Sequence, residues 1–214
     1  MKSYTLFLFS FILLVPAASA QPVEHGTFRA SELVELVKCD STIKLDVRYA
    51  TSNNFMKWKM YAEARAFLQR HAAEALVRAH RQLKGQGYGI LVFDGYRPWS
   101  VTKKFWDETP LKDHKFVADP KKGSKHNRGC AVDCSLYDLK NGKEVIMSSP
   151  YDDFTEKAAA DYSGGTDEQK KARNILRRAL EAQGFSVNPT EWWHFDYKDW
   201  KHYRILNVSF EQIR

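Results

Sequence analysis

The sequence predicts an α+β fold, a single domain in which helices pack on a mostly antiparallel central sheet. Three observations predict it. Helix-spaced and strand-like segments are interspersed along the chain, and no Pro/Gly/Ser-rich linker divides them. An Asn141-Gly142 turn lies between two β-rich runs, which implies an antiparallel hairpin. Aromatic residues make up 14% of the chain, so Trp and Phe alone could fill much of one core.

Residues 42–49 alternate apolar and polar side chains at period two and read as a strand. Ala72, Leu76, Ala79 and Leu83 form a helical stripe that stops at Gly85, a residue suited to a helix C-terminus. Residues 88–93 are β-rich and predict a buried strand. That strand delivers the turn Asp94-Gly95-Tyr96-Arg97-Pro98, whose proline opens a short helix over residues 99–106. Residues 131–137 predict the next strand, with residues 144–147 as its hairpin partner. Thr166-Asp-Glu-Gln169 has the form of a capping box. It starts a helix with Ala172, Ile175, Leu176 and Ala179 inward, closed by Gly184. Residues 191–196 predict a short final strand.

Residues 1–20 combine Lys2, an apolar run over residues 6–15 and small side chains at Ala18 and Ala20. This is the pattern of a secretory signal cleaved after Ala20. The run is shorter than the ~20 residues that span a bilayer, so no stable membrane insertion is expected after cleavage. The expected division is a signal peptide at 1–20 and one enzymatic domain at 21–214, with a periplasmic or secreted product. The formal charge of +7 loses only Lys2 on cleavage, and the basic residues are scattered rather than massed. With no nucleic-acid motif, nucleic acid is excluded as a partner. Cys39, Cys130 and Cys134 are odd in number, so at least one thiol stays outside any intramolecular disulfide. Strand alternation sets Cys130 and Cys134 opposite Asp133, as small buried apolar groups.

The chemistry lies in two segments, Ser124-Lys-His126-Asn-Arg-Gly129-Cys-Ala-Val-Asp133 and Glu191-Trp-Trp-His194. Two imidazoles and one carboxylate suit a divalent metal that keeps a position open for water. Glu191, a spare carboxylate, suits a general base, and the set outlines a zinc hydrolase. Gly129 permits a close turn that aims His126 and Asp133 at one point. Three residues along an ideal strand would turn Glu191 away from His194, so a bend or helical turn is expected there. The remaining imidazoles, His25, His71, His80, His114 and His202, are assigned to surface or packing roles.

Taken together, these two segments resemble those of the zinc D,D-peptidases. Asp46-Val-Arg48-Tyr49-Ala50-Thr51-x-x-Asn54-Phe55, Phe93-Asp94-Gly95-Tyr96-Arg97-Pro98 and Tyr151-Asp152 resemble the D-alanyl-D-alanine dipeptidase branch, the type associated with vancomycin resistance. The likeness spans about residues 31–207. It implies one Zn2+ per chain held by His126, Asp133 and His194, with Glu191 taking a proton from water and passing it to the leaving nitrogen. It implies that Arg97 stabilises the oxyanion, a contribution of about 3 kcal/mol in a dry site. It further implies that Asp152 holds the substrate ammonium. Ser124 is expected either to bind the substrate carboxylate or to cap the turn, and Tyr49, Asn54 and Phe55 are expected to wall the pocket, with aromatic packing the alternative for Tyr49 and Phe55.

The implied function is zinc-dependent hydrolysis of a small D,D-dipeptide, D-Ala-D-Ala, into two D-alanines. Two alternatives use the same residues: a D,D-carboxypeptidase or peptidoglycan endopeptidase with an open groove, and a non-catalytic, zinc-stabilised cell-wall binding module. Glu191 and Arg97 argue against the module, because a structural zinc site needs neither. The leader directs the enzyme out of the cytosol, where dipeptide is a wall-turnover product. Scavenging or wall recycling is therefore expected, rather than antibiotic resistance.

Overall fold

The structure, a computed structural model, describes residues 20–213. The signal segment expected over residues 1–20 lies outside the described residues, apart from Ala20. In chain order the strands are β1 (Leu33–Glu35), β2 (Lys44–Leu45), β3 (Phe67–Gln69), β4 (Tyr88–Asp94), β5 (Ala131–Asp138), β6 (Phe185–Asn188) and β7 (Glu191–Tyr197). The α-helices are α1 (Leu36–Cys39), α2 (Arg70–Lys84), α3 (Trp99–Glu108) and α4 (Asp167–Glu181). The central sheet has the order β2-β4-β5-β7-β6; only the β2–β4 pair is parallel. The fold is α+β with a mostly antiparallel sheet, as the sequence predicts. A small antiparallel pair, β1 with β3, stands beside it.

Two amphipathic helices cover one face of this sheet. The predicted stripe of α2 is buried, with Ala72, Leu76, Ala79 and Leu83 all fully covered. It packs on β4 and on α4, which in turn crosses β5, β6 and β7. The capping box of α4 forms: the Gln169 amide donates to Thr166 Oγ1 at 3.3 Å, and the Thr166 amide donates to Gln169 Oε1 at 2.9 Å. Such a cap is worth about 1 kcal/mol. His80 is buried between α2 and the sheet. The Ile90 amide donates to its Nδ1 at 3.0 Å, which leaves Nε2 to donate to Thr42 Oγ1 at 2.9 Å. Burial holds this ring neutral, with its pKa pushed down to about 4. Cys130 and Cys134 are free thiols, fully buried behind the strand that carries Asp133.

Two local expectations are corrected. Residues 42–49 do not form one strand: only Lys44–Leu45 pair, and a 3-10 turn follows at Arg48–Ala50. That turn is pinned because the Tyr49 carbonyl accepts the amides of both Met60 and Tyr61, at 2.8 and 2.9 Å. Residues 144–147 form no hairpin strand, only an isolated bridge from Glu144 to Tyr137. The turn at Gly142 does close, its amide bonding the Asp138 carbonyl at 2.8 Å. The Val145 amide still donates to the Leu136 carbonyl at 2.8 Å, but pairing goes no further, and the chain leaves the sheet with Ile146 78% exposed.

Candidate active site

One rung of the sheet assembles the centre. Asp94 of β4 lies opposite Asp133 of β5, which lies opposite His194 of β7. Neighbours on a rung share a face, so three distant parts of the chain deliver side chains to one spot. A bulge makes this possible: Val92 pairs with Cys134, yet the next pairing is Asp94 with Asp133. Phe93 is the extra residue. Without it, Phe93 would stand opposite Asp133 and Asp94 would move out of the rung.

His126 reaches the rung from a separate turn. A 3-10 turn over His126–Arg128 ends at Gly129, whose φ of +66° lies in the left-handed region. A Cβ there would sit 2.6 Å from Leu33 Cδ2 and 3.2 Å from the Gln69 backbone nitrogen, so space as well as conformation favours glycine. Gly95 is required by space alone, since a Cβ would come within 2.6 Å of the Phe67 carbonyl oxygen. The Gly95 carbonyl then accepts the His126 Nδ1 proton at 2.7 Å.

These partners settle both tautomers. A carbonyl only accepts, so His126 carries its proton on Nδ1 and turns a lone pair on Nε2 toward the centre. The Asp196 carboxylate accepts from His194 Nε2 at 2.9 Å, which frees the Nδ1 lone pair in the same way. Lys125 Nζ secures Asp196 from behind at 2.6 Å. Asp133 Oδ1 stands 3.3 Å from His126 Nε2 and 3.0 Å from His194 Nδ1, and it accepts no hydrogen bond. One ligand atom from each of the three residues falls within 4.8 Å of the others. Three converging acceptors repel unless a cation lies between them, so the donor set fits a divalent metal of the zinc type.

The titration behaviour has the same origin. Burial opposes a charged His194, but the nearby Asp133 carboxylate and the bond to Asp196 outweigh it and push the pKa up to about 10. Burial likewise opposes an ionised Asp133, yet the two imidazoles hold it well below the usual carboxylate range. A shared proton and a metal cation are alternative ways to satisfy these atoms, so metal binding displaces a proton.

Arg97 lies beside the rung, 8% exposed. Its Nε and Nη2 donate to Asp94 Oδ2 at 2.9 and 2.7 Å, and Nη2 is 3.8 Å from Asp133 Oδ2. Tyr61 and the Gly95 amide complete Asp94 by donating to Oδ1 at 2.8 and 2.9 Å. The guanidinium sits over the rings of Phe105 and Tyr49, 4.7 and 5.2 Å from their centroids. Asn127 Nδ2 donates to the Arg97 carbonyl, while the Arg97 amide donates to the His126 carbonyl, so the backbones that carry the guanidinium and the imidazole are tied together.

Glu191 approaches from the strand that holds His194. The expected bend is a break in register: Val187 of β6 lies opposite Phe195, but the next residue, Asn188, lies opposite Glu191. Glu191 Oε2 comes to 3.7 Å from His194 Nδ1 and accepts from Asn188 Nδ2 at 3.0 Å. Burial and the Asp133 charge raise its pKa above the ordinary value, against the opposing pull of His194.

A cavity of about 230 Å³ collects these groups: Tyr49, Phe55, Arg97, Ser124, His126, Asp133, Asp152, Glu191 and His194 all line it. Asn54 does not. It is buried, and its Nδ2 donates to the carbonyls of Arg48, Thr51 and Trp58, clasping the loop that presents Phe55. Ser124 Oγ accepts the His126 amide at 3.2 Å. Asp152 has a positive φ of 60°, and Tyr49 donates to its Oδ1 at 3.1 Å. Burial and the Asp133 charge push the Asp152 pKa well up.

Three supporting roles escape the sequence reading. Tyr151 donates to Asp133 Oδ2 at 2.9 Å, Tyr61 holds Asp94, and Asp196 orients His194. Asp196 carried a usable signal, since two residues along a strand share a face.

Comparisons with known proteins place the chain among one family of relatives. A family described as D-ala-D-ala dipeptidase matches residues 29–211. The chain is 28% identical over 180 residues to a D-alanyl-D-alanine dipeptidase of Escherichia coli (strain K12), covering 84% of this chain and 92% of that one. It is 32% identical over 178 residues to a protein of the same name from Enterococcus faecium, covering 73% and 87%. A solved vancomycin-resistance D,D-dipeptidase in complex with a D-Ala-D-Ala phosphinate analogue overlays with a TM-score of 0.42. That overlay is at 21% identity and covers 64% of this chain and 52% of the other.

Proposed function

Since the chain belongs to the D-ala-D-ala dipeptidase family of peptidases, we propose that it hydrolyses free D-Ala-D-Ala to two D-alanines with one zinc ion. Membership in a peptidase family removes the non-catalytic module reading. The observation that carries the proposal is the set of three fixed lone pairs beside a buried guanidinium and a raised carboxylate.

His126 Nε2, His194 Nδ1 and Asp133 Oδ1 would hold the metal. When bound, zinc supplies Lewis acidity toward the peptide carbonyl and acidifies water. Glu191 acts as the base: it takes the water proton and returns it to the amine nitrogen as the peptide bond breaks. Arg97, held in place by the Asp94 fork, keeps Nη1 for the oxyanion. Asp152 receives the substrate ammonium, because a cation restores the ionised form that burial disfavours. Ser124, which also lines the cavity, takes the carboxylate.

Zinc-loaded protein is expected to release D-alanine from D-Ala-D-Ala, to lose this activity to a chelator and to regain it with zinc. An N-blocked pentapeptide ending in D-Ala-D-Ala is expected to react at least ~100-fold more slowly, since its blocked amine leaves Asp152 buried and unpaired. Intact dipeptide after incubation overturns the assignment. Asp196→Asn is expected to weaken zinc binding about 10- to 100-fold, as loss of an orienting carboxylate does elsewhere. Competition with a chromophoric chelator measures it, and wild-type affinity in the variant removes Asp196 from the metal site.

We further propose export and a role in wall turnover, supported by the leader pattern of residues 1–20. A reporter fused to that leader and active only in the cytosol would contradict it.

A further inference from the structure

Adjoining the catalytic cavity is a larger one of about 610 Å³. The two share three lining residues and no others: Phe55, Asp152 and Phe154. These side chains are the partition between them. Phe154 lies flat on Phe116, with centroids 4.5 Å apart and planes 6° from parallel, and abuts Phe55 at 5.3 Å. Phe55 is braced in turn by Phe105 at 5.1 Å. Phe154 belongs neither to the main core nor to the half-buried residues packed on it, so its ring is not needed to fill the interior. Asp152, fixed by Tyr49 in its left-handed conformation, sits in the same wall.

We propose that Phe154 is the specificity-determining wall of this enzyme. Stacked on Phe116 and pressed against Phe55, it confines the catalytic cavity to substrates with a free amino terminus. The outer cavity is the subsite that an amino-terminally extended D,D-peptide occupies once the wall opens. The direction follows from Asp152, and here the inference rests on the dipeptidase reading. If the substrate ammonium meets Asp152, anything attached to that nitrogen must pass between Phe55 and Phe154. These two abutting rings, 5.3 Å apart and tilted by 50°, block this path sterically, and the adjoining cavity has the volume to take further residues.

The test compares kcat/KM for D-Ala-D-Ala with that for the tripeptide L-Lys-D-Ala-D-Ala, cleaved at its D-Ala–D-Ala bond. In Phe154→Ala, the tripeptide-to-dipeptide ratio is expected to rise about tenfold or more, chiefly through a lower KM for the tripeptide. Phe154→Leu, which keeps bulk but loses the stacking face, is expected to show a smaller rise. It also stands in if the alanine variant fails to fold. A wild-type ratio in both folded variants overturns the wall. Failure of the wild-type enzyme to cleave D-Ala-D-Ala is a different result and overturns the dipeptidase reading itself.

Discussion

Glu191→Gln is expected to lower kcat for D-Ala-D-Ala about 10³-fold, within the range lost when a positioned base is removed. Gln keeps the shape and still offers Asn188 an oxygen to donate to, so the fold and the zinc affinity should stay near wild type. The pH profile gives an independent signature. Burial raises the Glu191 pKa, so the carboxyl takes up its proton at a higher pH than an ordinary Glu. A protonated Glu191 cannot accept from water. Activity therefore falls as pH drops through that raised value, and the acidic limb should lie above the ordinary value of 4.5. The limb should vanish from the residual activity of the Gln variant. A variant that retains both rate and limb would move the base elsewhere.

Arg97→Met is expected to act on two quantities at once. Loss of an oxyanion donor lowers kcat about 10²- to 10³-fold. The variant also strands Asp94, 1% exposed, whose Oδ2 takes both guanidinium bonds. Removing one partner of a buried pair costs about 3–5 kcal/mol, so the denaturation midpoint should fall sharply. Adding Asp94→Asn separates the effects: the double variant recovers part of the stability and none of the activity. If Arg97→Met alone keeps kcat within a few-fold of wild type, Arg97 has no part in the transition state.

Much of this centre was legible because its chemistry is local in sequence. His126 and Asp133 flank the one glycine that can make their turn, and Glu191 and His194 share a short strand. What was not legible depends on pairing between strands. Asp94 joins the rung only through the bulge at Phe93, and no pattern in residues 88–94 announces which residue will be looped out. The missing hairpin is also a matter of pairing. Residues 144–147 look like a strand, but only Glu144 bridges to β5, at Tyr137, before the chain leaves that edge. Asn54 shows a further limit. Its position beside Phe55 was correct, yet three carbonyls within hydrogen-bond reach turned its side chain into the loop rather than toward substrate.

The rung that joins Asp94, Asp133 and His194 also decides when, along the folding route, chemistry first becomes possible. No single hairpin or helix contains the centre, because its parts meet only after β7 has docked against β5. A slip of one residue in that docking would turn His194 toward the helix-covered face and carry Glu191 with it. An incompletely or wrongly assembled chain is therefore silent rather than carelessly hydrolytic. Catalysis in this protein is a certificate of a finished sheet.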